Sequence, residues 1–330
     1  MSDTHALLRL LADGRFHSGV ALGDALGVSR ATVWNNVQAL KNTGIDAYAV
    51  RGKGYRLAEP LELLKVEEIL DALPSPVRAA LKRLEVHLEI SSTNTYLLEQ
   101  AQRGAPAGWA CLAERQTAGR GRRGRTWVSP MGGNIYLSVL WRFNSGAAVL
   151  SGLSLALGVA VAEALHAAAV PGVELKWPND VVWQGKKLAG ILVEMAGESA
   201  GPCYVVAGIG VNVAMAADAV HAIDQPWVDI ATITGTAPAR NLLAALLLQH
   251  VLLALQAFDR DGFAGFLPRW RARDAYADKE AMLHLPQQTL RGRVDGIDAQ
   301  GALLFAHDGS TRAYASGELS LKAAVHCNEG

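Results

Sequence analysis

The sequence predicts a multidomain α+β protein, and three observations carry that expectation. Residues 1–60 read helix, helix, turn, helix and then a two-stranded ribbon. The middle alternates strands and helices, with turns too short for parallel crossovers. After Tyr276 only short strands remain, separated by Gly and Pro. With 330 residues, half of them apolar, the chain has room for two or three domains and a sizeable core.

The first helix is predicted from about His5 to Ala12 and stops at Asp13-Gly14. Ser18 is placed to cap a second helix through Leu26, Gly27 makes the turn, and Ser29 is placed to cap a third. In that third helix Val33, Val37 and Leu40 share one face, while Arg30, Thr32, Asn35, Asn36, Gln38 and Lys41 fall on the other. Beyond Gly44, alternating Ile45, Ala47 and Ala49, then Tyr55 and Leu57, flank Arg51-Gly52-Lys53-Gly54, a hairpin with a basic tip. A helix entering the major groove needs small polar and amide side chains on its free face and cations for phosphate. The segment therefore resembles a winged helix-turn-helix, with Ser29, Arg30, Thr32, Asn35, Asn36, Gln38, Arg51 and Lys53 as DNA-binding candidates. Trp34 is bulky for that face and is assigned no base contact; packing against the wing is its alternative role. Residues 1–60 carry seven Lys or Arg against five Asp or Glu, a net +2, so one copy is expected to bind DNA weakly and two copies to pair on a two-fold site.

A charged helix is predicted from about Leu61 to Ala72, ended by Pro74-Ser75-Pro76, with a domain boundary near residue 64. Next come a strand at 85–90, a helix at 94–103, strands at 109–113 and 134–143, and a long helix over about 147–169. Short strands at 173–177, 181–184, 188–195 and 204–213 are joined as antiparallel hairpins, and an apolar helix over 242–258 closes the layer. The last part, with strands near 281–285, 289–295, 302–306 and 311–315, makes a small β-barrel or sandwich.

Composition narrows the function class. The 31 basic residues balance the 31 acidic ones, so any polyanion site must come from local clustering. Cys111, Cys203 and Cys327 are odd in number and far apart, which fits neither a disulfide framework nor a zinc site and does fit a reducing cytoplasm. Asp3, His5 and Arg9 break a signal-peptide pattern. The apolar run near residue 155 contains Glu163 and several Gly and Ser, so it reads as a buried helix.

The strongest local signal is Ala118-Gly119-Arg120-Gly121-Arg122-Arg123-Gly124-Arg125-Thr126-Trp127. Alternating Gly and Arg brings backbone N–H groups and guanidinium forks close to a ligand, as a phosphate-holding loop requires. Other polar clusters are weaker singly. Ser91-Ser92-Thr93-Asn94 sits where a helix needs a cap, and Lys176-Trp177-Pro178-Asn179-Asp180 is also ordinary turn chemistry. Lys186-Lys187 opens an apolar strand, and Gly208-Ile209-Gly210-Val211-Asn212 reads as a strand with glycines for close packing.

In order and spacing these segments resemble the biotin protein ligases, specifically the bifunctional type that also represses the biotin operon. The resemblance spans the whole chain and rests on Ser92-Thr93-Asn94, Glu114 to Trp127, Lys176 to Asp180, Lys187 to Glu194, Gly208 to Asn212 and Gly317 to Leu321. It implies a winged helix-turn-helix over 1–64, a catalytic domain like that of class II aminoacyl-tRNA synthetases with a mixed or antiparallel sheet over 65–274, and an SH3-like β-barrel over 275–330. It further implies that ATP and biotin form biotinyl-5′-adenylate with loss of pyrophosphate. The biotin then passes to one lysine of the biotin carboxyl carrier protein of acetyl-CoA carboxylase.

The resemblance also assigns residues. Ser92, Thr93, Asn94 and Gln116 hydrogen-bond the ureido ring and its surroundings, and Arg120, Gly121, Arg122, Lys187 and Gly190 complete the biotin site. Arg122, Arg125, Trp127, Asn179, Asp180, Asn212, Ile223, Trp227 and Lys322 hold ATP or the adenylate, with Asp180 and Asn212 organising Mg²⁺. A carboxylate attacking a phosphate brings two anions together, so Arg120, Arg122, Arg125 and Lys187 make physical sense as catalytic cations. Lys322 departs from the arginine common at that position, which puts its stacking contact in doubt. Accumulated adenylate is expected to order loops at a dimer surface and so favour operator binding by a homodimer. The competing readings are a biotin-sensing transcription factor without ligase activity and a lipoate-type ligase; those relatives lack the glycine-arginine loop.

Overall fold

The computed structural model describes residues 3–41, 43–144, 146, 150–197, 203–215, 223–286, 288–315 and 320–323. Helices α1 (Asp3–Leu11), α2 (Gly19–Leu26) and α3 (Arg30–Lys41) and the hairpin β1 (Ala47–Val50) and β2 (Gly54–Leu57) form the N-terminal unit. Ser18 caps α2 by accepting from the Ala21 N–H at 3.0 Å, and Gly27 ends it at φ 68°. Ser29 accepts from the Thr32 N–H at 3.1 Å at the start of α3. Leu7, Leu8, Leu11, Val33, Val37 and Leu40 close the core between the helices. The alternation expected in β1 holds only at Ala47; Tyr48, Ala49 and Val50 are exposed, because a two-stranded ribbon has no second layer to cover them.

The helix expected from Leu61 begins only at Val66. Residues 61–65 run as an extended strap whose backbone is already committed: the Leu64 N–H donates to the Glu114 carboxylate, and the Lys65 N–H donates to Asn241 Oδ1 at 2.8 Å. Helix α4 (Val66–Ala72) follows. Pro74-Ser75-Pro76 ends it as expected, but also opens α5 (Ser75–Ala80), since Pro is tolerated in a first helical turn.

The middle unit continues through β3 (Arg83–Ile90), α6 (Thr93–Gln102), β4 (Trp109–Gln116), β5 (Asn134–Phe143), α7 (Leu153–Ala167), β6 (Val173–Lys176), β7 (Asp180–Trp183), β8 (Lys186–Gly197) and β9 (Cys203–Asn212). These make a seven-stranded sheet in the order β3-β4-β5-β9-β8-β7-β6. Only β3–β4 is parallel, joined through α6; every other neighbour pair is antiparallel, as the short turns demand. Helices α8 (Ile230–Thr234), α9 (Arg240–Asp261) and α10 (Leu267–Arg271) complete the unit, and α9 packs against α7 and β5.

Two apolar helices need comment. The α7 start expected near residue 147 falls partly outside the described residues, and the described helix begins at Leu153. There Gly152 takes φ 81° and leaves its Cβ space to the Phe263 ring. Helix α9 is strongly apolar, like the run near residue 155, and has the length of a membrane span; 61% of its apolar window is buried against the rest of the protein.

The C-terminal strands β10 (Glu280–His284), β11 (Thr289–Ile297), β12 (Leu303–His307), β13 (Ser310–Tyr314) and β14 (Ser320–Ala323) form a five-stranded antiparallel sheet in the order β13-β12-β11-β10-β14. It docks on the middle unit, with the Trp177 indole donating to the Gly301 carbonyl at 3.0 Å and Ser151 donating to the Gln300 carbonyl at 2.6 Å.

The strap is locked by a buried pair. Arg240 Nη2 lies 2.8 Å from Glu114 Oε2, with side chains only 6% and 0% exposed, and Arg240 also donates to the Glu62 carbonyl and to the Asn134 carbonyl. Removing one member leaves an uncompensated buried charge. Arg240→Met is expected to lower unfolding free energy by about 3–5 kcal/mol in denaturant titrations. Adding Glu114→Gln should recover part of that loss; additive losses would contradict the pairing.

A second consequence concerns Asp274. Burial pushes its carboxyl up to about 6, against the hydrogen bond from the Tyr276 N–H, and its Oδ2 is buried with no hydrogen-bond partner among the described residues. Between pH of about 4 and 6 the folded chain holds a proton that the unfolded chain has lost, so this group's contribution to stability falls as pH rises through that window. Asp274→Asn should therefore stabilise the protein at pH 7.5 by an amount on the order of 1–2 kcal/mol relative to its effect below pH 4, read by thermal melts at both pH values.

Candidate active site

The glycine-arginine segment joins β4 to β5 and folds back on itself. The Gly121 N–H donates to the Arg125 carbonyl at 2.7 Å, the Arg125 N–H to the Arg122 carbonyl at 3.2 Å, and the Trp127 N–H to the Gly119 carbonyl at 2.9 Å. A single 3₁₀ turn, Arg122–Gly124, sits at the tip, with Arg123 at φ 56°. This closure sorts the arginines. Arg122 turns inward and donates to Asn179 Oδ1 at 3.1 Å, and its burial, with Arg123 nearby, pulls its pKa below the usual arginine value. Arg125 is exposed and stands outside the linings of the two cavities described below, and its backbone closes the turn.

One cavity of about 480 Å³ opens over the sheet between this loop and the N-terminus of α6. Every residue expected around biotin lines it: Ser92, Thr93, Asn94, Gln116, Arg120, Gly121, Arg122, Lys187 and Gly190. Apolar groups from Leu137, Ile191, Leu192 and Ile209 complete the wall. Ser92 also caps α6, accepting from the Thr95 N–H at 3.4 Å, so the plain structural reading of that residue holds too. Gln116 Oε1 accepts from the Thr93 N–H and hydroxyl at 2.9 and 3.1 Å, while its Nε2 donates to Ser129 Oγ at 3.3 Å. Asn94 Nδ2 donates to Glu194 Oε2 at 2.9 Å, and Arg120 Nη2 reaches the same oxygen at 2.8 Å.

A second cavity of about 410 Å³ lies next to the first and shares Trp127 and Lys187 with it. Asn212, Ile223 and Trp227 line this second space, as expected for the nucleotide side. Residues 216–222, between Asn212 and Ile223, lie outside the described residues. The side chain of Lys322, on β14, also lies outside them. Lys187 Nζ sits 2.7 Å from Asp180 Oδ1 and 5.4 Å from the Trp127 ring centre, on the wall between the two spaces. Asn179 and Asp180 thus lie beside the first cavity, Asn179 also donating to the Ile191 carbonyl at 2.8 Å.

Three strand glycines make this wall possible. A Cβ on Gly210 would stand 2.4 Å from the Trp127 ring, one on Gly190 3.0 Å from it, and one on Gly208 2.2 Å from Asn94 Oδ1. The sequence showed glycines for close packing but not what they pack against. It also missed Ser138, a fully buried hydroxyl on β5 that stands 2.7 Å from Thr93 Oγ1 and 2.6 Å from Asn94 Oδ1. A serine inside the otherwise apolar and aromatic run Ile135 to Leu140 is the signal that could have found it, since a buried hydroxyl must be hydrogen-bonded.

As a test of the metal assignment, Asn212 Nδ2 is committed to the Lys187 and Val228 carbonyls at 3.3 and 3.2 Å. Among the described residues no three His, Cys, Asp or Glu gather as a metal cage. The single carboxylate of Asp180 suits an ion that arrives with phosphate oxygens, as Mg²⁺ commonly does, and not one held by protein alone.

In the N-terminal unit, Ser29, Arg30, Asn35, Arg51 and Lys53 are exposed, and Thr32 and Gln38 are half-buried. Asn36 is a correction: it faces α1, accepting from Thr4 Oγ1 at 3.2 Å, because it falls three residues after Val33 on the packed side of the helix. Trp34 is 52% exposed.

Comparison with known proteins follows the same division. The family described as "Biotin/lipoate A/B protein ligase family" matches residues 88–212, an "HTH domain" matches 4–56, and the "Biotin protein ligase C terminal domain" matches 282–322. These matches and the fold define a ligase domain joined to a helix-turn-helix unit. The chain is 42% identical over 318 residues to the bifunctional ligase/repressor BirA of Escherichia coli (strain K12), covering 96% of this chain and 97% of that protein. With the protein of the same name from Bacillus subtilis (strain 168) the identity is 34% over 310 residues, covering 92% and 94%. The solved biotin protein ligase from Aquifex aeolicus in complex with biotin and ATP superposes with a TM-score of 0.63 at 30% identity, over 74% of this chain and all of that one. The chain belongs to the biotin protein ligase family, in the form that carries an N-terminal helix-turn-helix domain.

The glycine wall generates a structural prediction. Gly210→Ala should displace the Trp127 indole and alter the near-ultraviolet circular dichroism of the free protein, while costing about 1–3 kcal/mol of stability. The same change in a Trp127→Phe background should leave the near-ultraviolet spectrum nearly unmoved; an equal change in both backgrounds would show that the glycine does not serve that ring.

Proposed function

We propose that this chain joins biotin to ATP as biotinyl-5′-adenylate and then transfers the biotin to a lysine of a biotin carboxyl carrier protein. The observation that carries the reading is the pair of cavities sharing one wall of Trp127 and Lys187, one lined with paired amides and hydroxyls and the other bordered by Asn212 and Trp227. A carboxylate in the first cavity and a nucleotide in the second would meet at Lys187. Binding both fixes the carboxylate oxygen against the α-phosphorus, converting a bimolecular encounter into an oriented one.

The carboxylate oxygen attacks that phosphorus, the bond to the bridging oxygen breaks, and pyrophosphate leaves. Lys187 and Arg122 offset the repulsion of the two anions and the charge gathering on phosphorus. Asp180 is the residue available to Mg²⁺ accompanying the phosphates. In the second step the neutral amine of the carrier lysine attacks the anhydride carbonyl, the C–O bond to AMP breaks, and the amine gives up a proton. Thr93, Asn94, Gln116 and the buried Ser138 form a hydrogen-bonded set matched to a polar ring, so ligands unable to pair with it leave buried groups unsatisfied.

The functional units are 1–64, 65–274 and 275–330. The first binds operator DNA as part of a homodimer favoured by the adenylate, giving repression, and the protein works in the cytoplasm, where its free Cys111 and Cys203 remain reduced.

Two assays test the reading. With ATP, Mg²⁺ and a biotin carboxyl carrier domain, the wild-type chain should label the carrier. Arg122→Ala or Lys187→Ala should reduce labelling about 10²- to 10³-fold with the fold retained by circular dichroism, Lys187→Ala also lowering the melting temperature because Asp180 loses its partner. Free lipoate should not compete. An unlabelled carrier would overturn the ligase assignment, and equal operator affinity with and without biotin plus ATP in gel shifts would overturn the linkage to repression.

A further inference from the structure

On α3 the packed stripe is Val33, Val37 and Leu40, so the free face presents Ala31, Trp34, Asn35 and Gln38, with Arg30 beside them. Trp34 is 52% exposed there, whereas Trp177 and Trp270 are each 1% exposed. Among the described residues no ring or cation stacks on its indole. An indole left in water forfeits a large apolar burial, and this one stands among amides of the kind that hydrogen-bond base edges. Neighbouring Ala31 is small enough to let the helix backbone come close to a groove floor. In the major groove thymine alone offers an apolar group, its C5 methyl.

We propose that Trp34 is a specificity-determining residue of the DNA site: its indole covers a thymine methyl while Asn35 and Gln38 read neighbouring base edges. The inference rests on the DNA-binding reading of residues 1–64. A protein-docking role for the same ring is disfavoured by its surroundings, since Arg30, Asn35 and Gln38 make a polar, cationic face and not an apolar patch.

The experiment uses the full chain with biotin and ATP. Duplexes are selected from a random pool, and the enriched site is titrated by fluorescence anisotropy, with each dT replaced in turn by dU, which differs only in lacking the methyl. Wild type should lose about fourfold in affinity at one dT position or more, the worth of one buried methyl-sized group. Trp34→Ala should bind the dT duplex more weakly by a similar factor and be indifferent to dU at that position, while Trp34→Phe keeps part of the preference. Carrier labelling by Trp34→Ala should match wild type, and its far-ultraviolet circular dichroism and thermal melt should overlay those of wild type, which together establish that the middle unit and the helix-turn-helix unit are both folded. Overturning results are a wild-type chain indifferent to every dU, or a Trp34→Ala variant that keeps the full dU penalty, including one that loses only self-association. If wild type enriches no sequence at all, the DNA-binding reading fails and this inference with it, an outcome distinct from enrichment without a methyl effect.

Discussion

Three cations crowd one cavity wall, and the structure around them answers their mutual repulsion before any anion arrives. Arg120 is paired with Glu194, Lys187 with Asp180, and Arg122 rests on the neutral carbonyl of Asn179. The difference matters. A guanidinium hydrogen-bonded to an amide oxygen has no carboxylate bonded to it directly; Asp180 acts on it only through space, and burial, together with Arg123, outweighs that and lowers its pKa. Arg122 is therefore the cation whose environment improves most when a phosphate or carboxylate enters, whereas Lys187 and Arg120 must share themselves with carboxylates. The sheet supplies these positions in register: β7 sets Asp180 opposite Gly190 of β8, and β8 sets Gly190 opposite Gly210 of β9, so the side-chain-free strip lies directly under Trp127.

The same demand for compensation ties the units together. Glu114 would be prohibitive in the core without Arg240, and Arg240 at once holds the Glu62 and Asn134 carbonyls. Asn134 in turn accepts from the Val213 N–H through Oδ1 at 2.9 Å, just past the cavity-lining Asn212. The strap leading to the helix-turn-helix unit and the chain leaving the second cavity are thus fastened to one buried cluster. Leu88 and Met131 of the middle unit also join the N-terminal core, so the contact between the two units is apolar as well as electrostatic.

What the sequence disclosed and what it hid follow from the range of the interactions. Caps at Ser18 and Ser29, the left-handed Gly27 and the antiparallel hairpins are local and were legible. The nine residues expected around biotin meet in one cavity because motif order fixed their identity, although no local rule says that Ser92 and Gly190 are neighbours. Composition counts the arginines of the loop without showing that, once the Gly121 to Arg125 hydrogen bond closes it, Arg122 is half-buried while Arg123 and Arg125 are exposed. Asn36 was misjudged by a phase error of a fraction of a helical turn, and Ser138 was invisible because its partners lie 44 and 45 residues away. The strap at 61–65 was read as helix because its charges suit one; its hydrogen-bond partners are 50 and 176 residues distant and override that preference.

A site that makes a mixed anhydride must refuse water and still admit an amine. Lysine suits such a mouth, since its apolar stem can lie along an apolar wall while only the nitrogen needs to reach the carbonyl. The cavity described here has that division: Leu137, Ile191, Leu192 and Ile209 give an apolar wall, and the Arg120–Glu194 pair, the most exposed of its ion pairs, stands at the solvent side. An exposed pair contributes little to stability, because solvent screens it. Separating Arg120 from Glu194 therefore costs less than disturbing the more buried Lys187–Asp180 contact, so the ion pair on the solvent side of the cavity is the one that yields first.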